Sequence, residues 1–375
     1  MLRALADAGG KAIGGARFSL TSVMPGVLLV TVITAVARAG LYDVGAKPDF
    51  SDVAPRGQDV SAVALFVFFA FVVGVLLRPF EAAVVQLLEG YWERPSPLAP
   101  LRGAAVERHR RRRDRAQIVI QHSEEVAQAE RQAASLPTGN RPPAGSVSLS
   151  ELVDRDRRAA RRRRVAEQAE RVRSVYPTEV RPEVPGDERD PDGELMPTTL
   201  GNMLRRAERL SGDRYGLDMM VVYPRIYPFI APRLESAVTQ QLSLIAATAS
   251  LAVSLGITTL AMLPLLLRWD VWSVLPLAPA ILTVLAYRGA TAAADFHGTL
   301  LATVFDVHRF DLAKAFHYKL PRSAEQLTVL NKKISDFITQ DTARLDEEMD
   351  DRPLEHPPES DDALHRANSN GPAET

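Results

Sequence analysis

From Ser236 to Leu267 the chain runs for 32 residues without a charge, crosses Arg268-Trp269-Asp270, and stays uncharged for the next 17, Val271 to Tyr287. A helix rises 1.5 Å per residue, so about 20 apolar residues cross a bilayer and the first run is more than long enough. In hydrocarbon each backbone polar group must be paired inside its own segment, which makes helix the form for such a run. The charged corner has room for a turn and nothing larger. The pattern predicts a transmembrane hairpin over 236–288, with spans at about 242–267 and 271–287.

An earlier pair of apolar blocks repeats the arrangement. Phe18–Ala37 and Val60–Leu77 are uncharged for 20 and 18 residues, so 18–94 reads as a first transmembrane hairpin with spans 18–37 and 60–77. Its extension carries Phe80, Val84, Leu87, Leu88, Tyr91 and Trp92 at helical spacing, ending in aromatics of the type that sit at a membrane interface. Ala35-Val36-Ala37 also has the spacing of a signal-peptide cleavage site, an alternative in which 1–37 is removed. Small residues let membrane helices approach closely. Ala70 with Gly74 on the second span, and Ser243, Ala247, Ser250 and Ser254 on the third, are the expected packing positions.

Charge lies almost wholly between and after these blocks. Leu101–Arg173 holds 18 Arg against 10 acids, and Asp341–Thr375 holds 11 acids against three Arg. The near-zero total therefore conceals one block of +8 and one of −8. The basic block reads as two helices: Arg102–Ser135, and a second opened by Ser148 with Glu151 at capping-box spacing. A Pro- and Gly-rich loop separates them, and a Pro-rich acidic linker follows to residue 197. Residues 198–235, with Tyr215, Tyr223, Tyr227 and Phe229 among three prolines, suit a membrane-surface segment. Beyond Arg288 the helix is expected to continue to Leu320. Ser323 with Gln326 then caps a helix whose stripe is Leu327, Leu330, Ile334, Phe337 and Leu345. Residues 289–345 are thus cytosolic helices and 346–375 a disordered acidic tail, as 1–17 is a cytosolic N-terminal tail.

The fold class expected is an all-α integral membrane protein: four transmembrane helices in two hairpins, a charged helical insertion with its linker at 95–197, and a C-terminal cytosolic helix. Arg3, Lys11, Arg17, Arg78, Arg94, Arg225, Arg233 and Arg288 flank one side of the membrane. By the positive-inside rule both termini are then cytoplasmic, in the cytoplasmic membrane of a bacterium.

Motifs for chemistry are missing. The chain contains no cysteine, which excludes disulfides, thiolate nucleophiles and Cys-type metal sites. It has no Walker A sequence, no dinucleotide-binding glycine fingerprint after a strand and no G-x-S-x-G. Asp295, His297, Asp306, His308, Asp311 and His317 crowd together, but one straight helix spreads them along its axis, so polar packing is the expected role rather than metal binding. No catalytic residue, cofactor or metal follows from the sequence.

The segment Leu200-Gly201-Asn202-Met203-Leu204-Arg205, the turn Arg214-Tyr215-Gly216-Leu217-Asp218, Pro224-Arg225-Ile226-Tyr227-Pro228, a closing membrane hairpin and Phe305–His317 occur in an order that resembles a group of uncharacterised multi-pass proteins of high-GC bacteria. The resemblance covers roughly residues 197–321 and implies the architecture without an activity.

Two arginine clusters remain, Arg108, Arg110, Arg111, Arg112, Arg113 and Arg161, Arg162, Arg163, Arg164. They present charge around their helices, beside a bilayer that offers anionic headgroups at about 1 kcal/mol per arginine. Nucleic acid is a poorer fit because the interleaved aromatics of a base-stacking surface are missing. The function expected is a membrane-anchored scaffold or regulator recruiting protein partners, copies of itself or anionic lipid. The alternatives are a homo-oligomeric channel or transport component, or an enzyme without a recognisable motif.

Overall fold

The structure, a computed structural model, describes residues 20–43, 45–51, 60–92, 98–135, 149–177 and 195–339. The expectations for the 1–17 tail, for the linker over 178–194 and for the acidic segment 346–375 lie outside them. Helix makes up 84% of the structure and no strand occurs among the described residues, so the chain is all-α.

The helices in order are α1 (Leu20–Arg38), α2 (Val60–Leu77), α3 (Glu81–Glu89), α4 (Ala99–Ser135), α5 (Leu149–Arg173), α6 (Thr199–Gly212), α7 (Met219–Ile226), α8 (Pro232–Met262), α9 (Leu277–His308), α10 (Asp311–Ala315) and α11 (Ala324–Thr339). Among the described residues two are long and apolar enough to cross a membrane, counted with their 3-10 turns as Pro232–Arg268 and Val271–His308. That is fewer than the four spans the sequence predicts. In the first pair of blocks the described part of α1 is a shorter apolar helix, Met24–Arg38. Leu65–Leu76 joins Glu81–Glu89 through a bend of 60°, placed where Pro79 offers no backbone N–H to carry a helix through.

A further departure concerns the stretch after Arg288. The sequence predicts one helix to Leu320, yet α9 ends at His308, α10 is a short separate turn and His317 adopts a left-handed φ of 56°. Leu312 and Ala313 are fully buried, and folding the chain back to bury them outweighs continuing a helix into water.

The chain divides into two compact units, changing from one to the other inside α6, α8 and α9. The first comprises residues up to Arg205 with Gln240–Phe296. In it α1 packs on α2 and α4 on α5. α8 and α9 run antiparallel. Ile245 packs with Ala290, Ala293 and Ala294, and Ala252 and Leu255 pack with Ala286. Alanines and the nearby Gly289 let the two backbones close up, the membrane counterpart of a large-residue core. Ala70 and Gly74 are buried on α2. On α8, Ser254 and Thr258 are buried, Ala247 and Ser250 are half-buried, and Ser243 is exposed. The start of α6 is fixed to α3: the Thr198 hydroxyl accepts from Gly201 N at 3.0 Å and donates to the Glu89 carbonyl at 2.8 Å.

The second unit comprises Arg206–Thr239 and the chain from His297. Its core is Leu217, Val222, Ile226 and Ile230 around α7, Leu301, Val304 and Phe305 of α9, Leu312 of α10, and Leu330 and Ile334 of α11. Of the stripe expected on α11, Leu327, Leu330 and Ile334 are buried, Phe337 is 46% exposed and Leu345 lies outside the described residues; Ser323 Oγ caps the helix by accepting from Gln326 N at 3.2 Å. Gly216 is required where α11 crosses. Its φ is 71°, and a Cβ there would lie 2.3 Å from the Thr328 carbonyl oxygen.

Candidate functional site

α4 owes its length to a run of Ala, Arg, Glu and Gln, all good helix formers, with no proline inside its last 35 residues. α5 returns antiparallel to it. Arg162 of α5 donates to Glu130 at 2.7 Å, Arg173 to the Gln117 side chain at 3.3 Å, and His109 Nδ1 lies 3.1 Å from the Tyr176 hydroxyl. Ala116 and Ala169 are buried at the seam. The small side chains there leave an open groove of about 770 Å³ along one side of the hairpin.

Four arginines line it: Arg108, Arg111, Arg112 and Arg115, with a floor of Ala104, Ala116, Val119, Ala169 and Val172. Their spacing of i, i+3, i+4 and i+7 puts them on one helical face. Arg111 is held by Glu107, Nε to Oε1 at 2.7 Å. Arg108, Arg112 and Arg115 have no acidic or hydrogen-bonding partner among the described residues. Three guanidiniums left in water over an apolar floor suit an anionic ligand that also carries apolar surface, because a guanidinium offers a planar fork of donors to phosphate or carboxylate.

The other predicted arginines are placed differently. Arg113 is mostly buried and paired with Asp114 at 3.0 Å, and Arg110 lies 3.8 Å from Glu107. Arg162 and Arg163 face a smaller hollow of about 250 Å³ that also contains Glu124 and Glu130, so its charge is mixed. Arg161 and Arg164 are exposed. Charge is thus distributed around α5 as the sequence suggests, while on α4 it is concentrated into a groove. Arg115, at the end of the run Arg108–Arg115, is the fourth member of the face, seven residues after Arg108.

His109 stands next to this groove on α4. Burial lowers its ring pKa below the ordinary 6.5, and the neighbouring cations Arg112 and Arg108 lower it further. Tyr176, against which it packs edge to face, is pushed up by burial.

In the second unit the turn Arg214–Asp218 and the stretch Phe305–His317 come together. The Tyr215 hydroxyl donates to Asp306 at 2.6 Å, Arg214 donates to the same carboxylate at 3.0 Å, and Arg214 and Arg309 both lie over the Tyr215 ring. The pair His308 and Asp311 is joined at 2.8 Å. Among the described residues no group of three or more His, Asp or Glu is placed to hold a metal ion.

At the remote turn of the first unit Arg268 is buried, its side chain 2% exposed. It donates to the carbonyls of Leu41 at 3.0 Å, Asp43 at 2.7 Å and Ala46 at 2.7 Å, and to the Asp270 carboxylate at 2.9 Å. The Tyr42 hydroxyl adds a bond to the Ala261 carbonyl.

No family model, no curated protein and no solved structure matches this chain.

Proposed function

We propose that the chain is a membrane-anchored scaffold whose helical hairpin, α4 with α5, binds anionic surfaces through the arginine-lined groove. The observation that carries this reading is the single-faced array of Arg108, Arg112 and Arg115, without an acidic or hydrogen-bonding partner among the described residues, over an apolar floor. Each arginine near an anionic headgroup contributes about 1 kcal/mol, and the contribution decays over a Debye length of about 10 Å at 0.1 M salt.

The anchor in this reading is the pair of hairpins, α1–α2 and α8–α9, crossing a bacterial cytoplasmic membrane four times with residues 78–235 on the cytoplasmic side. Two features support it. α8 and α9 with their turns have spanning length and composition. Arg268 binds the loop that follows α1, so the far ends of both hairpins meet. A charged residue at that depth is tolerated because three carbonyls and a carboxylate surround it.

The test uses full-length protein in phosphatidylcholine nanodiscs, mixed with acceptor vesicles containing phosphatidylglycerol. At low salt the wild type is expected to float with the vesicles, and added salt to release it. Arg108→Gln with Arg112→Gln and Arg115→Gln should abolish flotation, while Arg161→Gln with Arg164→Gln should leave most of it. Equal flotation of the triple variant and the wild type would sink the reading.

A further inference from the structure

A second surface lies on the other compact unit, along residues 220–233. α7 buries Val222 and Ile226 in the core, which fixes its rotation. That rotation leaves Met220 65% exposed, with Pro224 exposed and Tyr223 half-buried, and on the 3-10 turn that follows α7 Phe229 is 45% exposed and Tyr227 and Pro228 are exposed too. Arg225 and Arg233 are exposed on the same stretch. Arg225 bonds back to the Val221 carbonyl at 2.7 Å, which keeps its charge close to the helix.

The tyrosines are arranged in a particular way. Tyr227 hydrogen-bonds Glu235, and its ring meets that of Tyr223 edge to face at 6.2 Å. The hydroxyl of Tyr227 is thereby satisfied while the ring remains outside the core. Tyr215, the remaining tyrosine of this region, is withdrawn into the Arg214–Asp306 cluster and takes no part. Exposed aromatic rings, one of them with its hydroxyl satisfied, a methionine and flanking arginines are the composition of a bilayer interface rather than of open water.

Continuity supplies the occupant. Pro232 begins α8, the helix of spanning length and composition, so the stretch is joined directly to a candidate span without an intervening loop. We infer that residues Met220–Arg233 form a shelf that lies in the headgroup region of the membrane, with Met220, Tyr227 and Phe229 reaching to the acyl boundary. The ligand class is the phospholipid interface itself, zwitterionic lipid included, because the shelf gains from apolar burial and only secondarily from charge. In this it differs from the groove of α4, which requires anionic headgroups.

The chain contains no cysteine, so single-cysteine variants need no other change. Met220→Cys and Phe229→Cys, with exposed Val329→Cys on α11 as the reference, are each made in the full-length protein, labelled with a nitroxide and reconstituted in pure phosphatidylcholine. Accessibility to oxygen, which concentrates in lipid, is compared with accessibility to a polar nickel chelate. The expected result is an oxygen-to-nickel ratio severalfold higher at 220 and 229 than at 329. A ratio at 220 and 229 equal to that at 329 would overturn the shelf, since both faces would then be in water. Protection of 220 and 229 from both reagents would also overturn it, because a protein surface, or a second copy, would be covering them. Pure phosphatidylcholine removes the anionic headgroups on which the groove depends, so failure here and failure of flotation report on separate surfaces.

Discussion

Arg268 donates to the carbonyl oxygen of Leu41, 3.0 Å away and 227 residues earlier in the chain. One guanidinium thus closes the turn of the α8–α9 pair onto the loop that follows α1, and it satisfies carbonyls that no helix serves. Around it Val36, Ala39 and Leu41 pack on Met262 and Leu265. Trp269, left-handed at φ 53° and 91% exposed, is turned outward by the same turn.

Replacing Arg268 should therefore destabilise the first unit strongly. Arg268→Met takes a donor from the carbonyls of Leu41, Asp43 and Ala46, the first of them buried, an effect of about 3 kcal/mol. Arg268→Lys should recover only part of this, because an ammonium is a point charge and lacks the fork that reaches Leu41, Asp43 and Ala46 together. Asp270→Asn, at a partly exposed carboxylate, should cost about 1 kcal/mol. Unfolding of the detergent-solubilised protein by graded SDS reads all three, and a neutral Arg268→Met would show the bonds to be incidental.

Gly216 and Gly256 should respond oppositely to alanine. At Gly216 the backbone is left-handed and a Cβ would overlap the Thr328 carbonyl, so Gly216→Ala is expected to cost at least about 2 kcal/mol. At Gly256, inside α8, a Cβ would meet only Thr283 Cγ2 at 3.8 Å, an ordinary contact. Gly256→Ala should be neutral or stabilising by up to about 1 kcal/mol, since alanine is the better helix former. Thermal unfolding of the two variants checks this, and a tolerated Gly216→Ala would contradict the crossing of α11 at that point.

The helical segments were legible from the sequence because period and punctuation are local properties. Ser323 caps α11 as its spacing predicts, α4 ends at Ser135, and Leu330 and Ile334 are buried. The non-local parts were not legible. Arg268 reads as a polar corner because its carbonyl partners lie in a loop more than 200 residues away. The arginines of α4 read as charge on every side because the partner helix, which turns one face into a groove, enters only through the fold. His308 and Asp311 do pair as their three-residue spacing allows, yet across the end of α9 rather than along a continuing helix. The turn Arg214–Asp218 and the stretch at Phe305 could be singled out separately, but only the fold brings Tyr215 to Asp306.

His109 should make stability depend on pH. Its pKa in the folded hairpin is below the unfolded value of 6.5, so the folded state binds fewer protons than the unfolded state in the interval between the two. Stability is then fully present above about pH 6.5 and falls as the pH drops through the interval to the folded pKa, below which the slope vanishes. His109→Gln should flatten this part of the profile while leaving stability at pH 8 little changed. Unfolding midpoints of both proteins measured from pH 8 to pH 5 test it, and parallel profiles would assign the slope to other groups.

The bond from Arg268 to Leu41 also fixes a prediction about topology. If α1 and α8 end against one another, the loop after α1 and the turn after α8 must emerge on the same face of the membrane. By the positive-inside rule that face is expected to be external, since the basic residues at 78, 225, 233 and 288 flank the other ends of the apolar segments in the sequence. Single cysteines at Asp49 and at Asp270 should both react with a membrane-impermeant maleimide in intact cells. A cysteine at Gln132, on exposed α4, should react only after the cells are opened. Labelling of 270 without 49 would show that α1 does not cross beside α8, and labelling of 132 in intact cells would reverse the orientation of the whole chain.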